Sequence, residues 1–160
     1  MAVQDALATI LEYNAAMELP YSAVLGIDAF LSDPPVRDNS LAESELRMCS
    51  ELCGIAERSL AGDLASAGPE NAYLYSAFQR LFRDPSDRNR FRTVCKDAQS
   101  AFDNVIKALH GEPADPPNTD ALRRLQAEMR ELADRIKREI PREESLASLT
   151  GTIHPVLASR

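Results

Sequence analysis

Hydrophobic residues recur along most of the chain at spacings of three and four, the pattern of helices that bury one face. We find no convincing alternation of apolar and polar residues of the kind that marks a half-buried strand. The pattern therefore predicts an all-α fold, a single-domain bundle of five or six mostly antiparallel helices with short loops. The bundle is expected to take up residues 1–140.

Prolines, glycines and capping residues divide the predicted helices. Pro20 disfavours a helical conformation at the residue before it, so helix Val3–Glu18 is expected to end there and a second helix to begin. Ser40 and Glu43 match a capping box, a common helix start. After the first, the predicted helices are Tyr21–Leu31, Ser40–Ala61, Pro69–Arg83, Pro85–Leu109 and Asn118–Ile140.

Helix Ser40–Ala61 is predicted to be the central one, because Met48 and Leu52 begin a second apolar stripe beside the first. Cys49 and Cys53 lie four residues apart on the first stripe. Two thiolates at that spacing could supply half of a zinc site, but neither His110 nor His154 has ligand spacing to complete it. We interpret both cysteines as small buried side chains and expect no metal.

The last predicted helix carries a narrow apolar seam in which nearly every intervening residue is charged. Its residues are Leu122, Leu125, Met129, Leu132, Ile136 and Ile140. We expect this seam to pack on the same domain, with a homodimer through it as the main alternative.

Glu128, Glu131 and Asp134 on this helix could hold magnesium, which would suit a metal-dependent helical hydrolase. We instead interpret these acids as a solvated helix face, because each has a cation four residues away. The predicted pairs are Arg124–Glu128, Glu131–Arg135, Asp134–Arg138 and Arg135–Glu139.

The net charge of -7 is unevenly distributed. Residues 1–79 carry 12 acidic and 3 basic side chains, whereas residues 80–110 carry 7 basic and 4 acidic ones. We call five arginines around the expected turn at Asp84 the arginine corner. We expect them to pair with Asp84, Asp87 and the acidic N-terminal half; an acidic protein partner, nucleic acid or phospholipid are the alternatives. They are Arg80, Arg83, Arg88, Arg90 and Arg92.

Residues 141–160 form a predicted C-terminal tail, and its segment 145–159 contains no Asp, Glu, Lys or Arg. Leu146, Leu149, Ile153 and Leu157 have roughly helical spacing, interrupted by Gly151 and Pro155. So apolar a segment is expected to dock on the bundle. Disorder and binding to another chain are the alternatives.

Composition indicates the compartment. Three cysteines, an odd number, argue against a disulfide framework. The chain start lacks the basic and apolar regions of a secretion signal, and no stretch is apolar for the roughly 20 residues that a membrane span needs. We expect a cytoplasmic protein without membrane insertion, with specialised secretion as an alternative. Fifteen arginines against three lysines suggest a GC-rich genome, bacterial or viral.

No catalytic signature is present, and we predict neither enzymatic activity nor a cofactor. The predicted function is a non-catalytic protein–protein interaction module: a regulator, adaptor, effector domain or assembly factor. Its candidate partner-binding residues are the arginine corner and the seam residues Leu122 to Ile136. The alternatives are a nucleic-acid-binding protein that uses the arginine corner and, third, the helical hydrolase.

Overall fold

A computed structural model describes residues 3–32 and 40–139, and within these ranges it contains helices and no strand. The all-α prediction is confirmed. The helices are α1 (Val3–Leu31), α2 (Ser40–Leu60), α3 (Leu64–Ala67), α4 (Ala72–Leu81), α5 (Pro85–Leu109) and α6 (Thr119–Glu139), with a 3₁₀ turn at Pro69–Asn71 before α4.

Helices α1 and α2 form the middle of the bundle, with α5 packed against α2 and with α6 and α4 packed against α1. Side-chain contacts show that α1 and α2 run antiparallel, and that α2 and α5 do so as well. Along α1 and α2, Leu19 meets Cys49 and Ser22 meets Met48. Similarly, Glu57 of α2 pairs with Arg92 of α5, while Ser50 bonds Asp103 further along α5. The centre is thus shared by two helices, although the apolar pattern predicted that α2 alone would be central.

Pro20 does not interrupt α1, which continues through it for 29 residues, so the prediction of two separate helices was wrong. A proline in a helix interior removes one backbone hydrogen bond and costs about 3 kcal/mol. The residues around it are fully buried: Met17, Leu19 and Ala23 are each 0% exposed. Burial of large apolar side chains stabilises by roughly 1.5–3 kcal/mol each, so tertiary packing offsets the local penalty.

Gly26 allows α1 and α2 to approach closely. A Cβ atom added there would lie 2.9 Å from Leu46 Cδ2. The apolar face of α2 is narrower than expected, however. Leu46 and Ile55 are buried, but Met48 is 46% exposed and does not belong to the core. The inclusion of Met48 in a second buried stripe was therefore wrong.

Residues 62–68, which separate the predicted helices Ser40–Ala61 and Pro69–Arg83, contain the short helix α3. Its start is capped by Asp63, which accepts a hydrogen bond from Ser66 N. The later helix starts are close to those predicted. Asp84 stands at the N-cap position of α5 without a side-chain capping bond. Asn118 caps α6, accepting a bond from Ala121 N at 3.1 Å.

Some predictions fall outside the described residues. These are the tail at 141–160, the seam residue Ile140 and the side chain of Ser40 in the capping box. Among the helices that the structure describes, none is long and apolar enough to cross a membrane.

Candidate functional site

The arginine corner is distributed over α4, the turn that follows it and α5. Arg80 of α4 reaches α1, where its Nη1 lies 3.2 Å from Glu12 Oε2 and donates to Thr9 Oγ1 at 2.9 Å. Arg88 donates from Nε to the backbone oxygen of Phe82 at 2.9 Å, which bridges the turn between α4 and α5. Arg83 is exposed.

Arg90 and Arg92 point to opposite sides of α5. Arg92 Nη2 lies 2.8 Å from Glu57 Oε1 on α2, whereas Arg90 Nη1 lies 2.9 Å from Glu128 Oε2 on α6. The hydrogen bond to Glu128 raises the pKa of Arg90. The five arginines therefore do not form one continuous basic surface, and Arg80, Arg90 and Arg92 each pair with a carboxylate inside the chain.

None of the four ion pairs predicted along α6 forms within the described residues. Glu128 pairs with Arg90, and Arg135 pairs with Asp87 of α5 at 2.5 Å. Arg135 also donates to the backbone oxygen of Leu81 and lies 4.5 Å from the centroid of the Phe82 ring. Glu128 and Arg135 thus both pair with residues of α5 and not with the residues four positions away on α6.

The seam of α6 is buried against α1. Leu122 and Leu132 are each 2% exposed, Leu125 is 8% exposed, and both Met129 and Ile136 are 0% exposed. In this conformation the seam residues offer little surface to another chain. The homodimer alternative remains a prediction.

Gln126 is a buried polar residue that the sequence analysis did not single out. Its Nε2 donates to Asp28 Oδ1 at 2.7 Å and to the backbone oxygen of Val24 at 3.2 Å. Both acceptors lie on α1. Because a buried amide without partners is costly, this contact favours a single register of α6 on α1.

The three cysteines are free and buried, which confirms the burial of Cys49 and Cys53. Cys95 of α5 joins them, a contact that the spacing within α2 could not reveal. Burial raises the pKa of Cys49, and the hydrogen bond to Cys53 together with burial raises the pKa of Cys95. Hydrogen bonds from these two thiols lower the pKa of Cys53, although its burial acts in the opposite direction.

No group of three or more histidine, cysteine or carboxylate side chains in the described part of the chain could hold a metal ion. One polar cluster does join the ends of α2 and α5. His110 contacts Glu43, and Arg47 Nη2 lies 2.9 Å from the same carboxylate. These hydrogen bonds lower the pKa of Glu43, His110 contributing most.

An open groove of about 360 Å³ runs between α1 and α6. We call it the α1–α6 groove. Its floor is mainly apolar, and Arg130, Asp134 and Lys137 supply its charged groups. The lining residues are Pro20, Tyr21, Val24, Leu25, Arg130, Ala133, Asp134 and Lys137. None of the three charged residues makes an ion pair with another described residue.

The groove could not be predicted from the sequence, because it depends on how α1 and α6 lie together. One signal was present. Leu25 follows Val24 directly and therefore lies about 100° around the α1 axis from it, beyond the face expected to be buried. The apolar surface of α1 is thus wider than one neighbouring helix can cover, and part of it stays exposed.

Comparison of the chain with protein-family models, with curated proteins and with solved structures found no match in any of the three.

Proposed function

We propose that this protein is a non-catalytic protein-interaction module, and that the α1–α6 groove is its docking surface. The partner is a protein segment with apolar side chains on one face and acidic side chains at its edge. An amphipathic helix in an apolar groove is a common mode of peptide recognition. Regulator, adaptor, effector domain and assembly factor are all roles that such a module can serve.

The groove itself is the observation that carries this proposal. Val24, Leu25 and Ala133 are only partly buried, so they offer apolar surface that a partner could cover. Arg130 and Lys137 lie seven residues apart on α6, roughly 10 Å along the helix axis. A partner helix with acids two turns apart could contact both cations.

The nucleic-acid alternative has less support. A nucleic-acid site needs cations that are free to contact successive phosphates. Arg80, Arg90 and Arg92 instead pair with Glu12, Glu128 and Glu57.

The test is site-specific photo-crosslinking in cells that express the protein. A photoreactive amino acid at Leu25 should give a discrete adduct with another protein, identified by mass spectrometry. The double change Arg130→Glu and Lys137→Glu should remove that adduct, because it reverses both rim cations. The matched control carries the photoreactive residue at Asp97, an exposed position on α5.

Circular dichroism must show that the double variant remains folded. An adduct that persists unchanged in the double variant would exclude the rim from partner recognition. Equal adducts from Leu25 and Asp97, or none from Leu25, would also contradict the proposal. An adduct at twice the mass of the chain would identify a second copy as the occupant and overturn the proposed heterologous partner.

A further inference from the structure

We propose that the apolar segment 145–159 of this same chain occupies the α1–α6 groove when no partner is bound, and that the partner must displace it. This inference rests on the proposed function, since it names what competes for the same groove. It assigns the C-terminal tail an autoinhibitory role.

The position of the groove relative to the tail supports this assignment. Helix α6 is antiparallel to α1, because Gln126 contacts Asp28 while Lys137, eleven residues later, lines the groove beside Pro20. The groove therefore continues to within two residues of the end of α6 at Glu139. Glu139, the last described residue, is therefore only two residues from the groove lining at Lys137. Residues 140–144 could span up to roughly 17 Å when extended, enough for the chain to turn back.

The chemistry of the segment matches that of the groove. Residues 145–159 carry no Asp, Glu, Lys or Arg, and Leu146, Leu149 and Ile153 recur at spacings of three and four. These residues suit the floor formed by Val24, Leu25 and Ala133. Burial of apolar surface stabilises by roughly 25 cal/mol per Å², and the tail needs no loss of translational freedom to reach the site.

Charge adds a second match. Arg142, Glu143 and Glu144 directly precede the apolar segment and carry a net charge of -1. The rim of the groove presents Arg130, Asp134 and Lys137, with a net charge of +1, and neither cation is paired with a described carboxylate. The two sets of charges are therefore opposite in sign. An external partner would need the same combination, which is why the two compete.

Hydroxyl-radical footprinting of the full-length protein tests the inference, because it reports side-chain accessibility residue by residue. The variant Ile153→Asp places a charge in the apolar face of the segment. We expect the reactivity of Tyr21 and Leu25 to rise severalfold in this variant. The control Ser148→Asp adds the same charge at a polar position and should leave both reactivities unchanged.

Unchanged reactivity of Tyr21 and Leu25 in Ile153→Asp would overturn the inference. Arg130→Glu with Lys137→Glu provides a second measurement, and it should increase the reactivity of Leu149 and Ile153. If the reactivities of Leu149 and Ile153 stay constant, Arg130 and Lys137 do not hold the tail in the groove, and the inference is overturned. Circular dichroism on each variant checks that the bundle is folded.

The two proposals can fail separately. If Ile153→Asp exposes the groove but no partner ever crosslinks at Leu25, the tail docks and the proposed function is wrong. If a partner crosslinks at Leu25 equally well in wild type and in Ile153→Asp, the proposed function stands and the competition does not. An increase of the partner adduct in Ile153→Asp supports both.

Discussion

Replacing two seam residues by glutamate tests whether α6 belongs to a self-contained bundle. Leu125 and Leu132 are 8% and 2% exposed against the rest of the chain. Each substitution removes about 1.5–3 kcal/mol of apolar burial. Each also places a carboxylate at a buried position, at a cost of several kcal/mol after relaxation. The sum for Leu125→Glu/Leu132→Glu, roughly 10 kcal/mol, is comparable with the entire 5–15 kcal/mol stability of a typical domain.

We therefore expect the wild type to be monomeric by light scattering and the double variant to lose its cooperative thermal transition by circular dichroism. The control Arg123→Glu/Ala127→Glu changes two exposed residues of the same helix and should remain folded. Leu132→Ala should cost about 2–5 kcal/mol, a loss that a urea titration can measure. A wild-type dimer that the double glutamate variant converts into a folded monomer would refute the reasoning, because α6 would then be an interface.

Three further predictions concern the packing of the bundle. Arg135→Lys should lower the free energy of unfolding by about 1–2 kcal/mol, because lysine cannot bond Asp87 and the Leu81 backbone oxygen with the same fork; urea titration tests this, and an unchanged midpoint contradicts it. Gly26→Val should cost about 1–3 kcal/mol through its clash with α2, and an equal or higher thermal midpoint would contradict the close approach. Cys53 should react slowly with a thiol reagent in the native protein and rapidly after unfolding, because it is 0% exposed; fast native labelling would show that the core opens readily.

The sequence was sufficient to predict the long helices, but it wrongly predicted that α1 would be interrupted at Pro20. Apolar spacing and helix-start residues are local signals, so the starts of α5 and α6 fall close to their predicted positions. The rule that proline ends a helix is local too, and here it fails. The fully buried side chains on either side of Pro20 stabilise one continuous helix, and the partners that bury them lie far away in sequence.

The same limit explains the ion pairs and the groove. The sequence places a residue of opposite charge four positions away from Glu128 and from Arg135 on the same helix. In the structure both residues pair with α5 instead. The groove needs the relative placement of α1 and α6, which no single helix encodes. Burial of Cys49 was predictable from its stripe, whereas its neighbour Cys95 comes from a helix more than forty residues later.

The way α6 is held in the bundle also bears on the proposed docking surface. On one side its seam and Gln126 contact α1. On another side the pairs to Arg90 and Asp87 connect it to α5, although the two helices make few direct contacts. The Arg90 pair is partly exposed and contributes at most about 1 kcal/mol, so the Arg135 contact with Asp87 carries most of that connection. The groove edge with Arg130 and Lys137 takes no part in either contact. The proposed docking at this edge therefore does not compete with the interactions that hold α6 in the bundle.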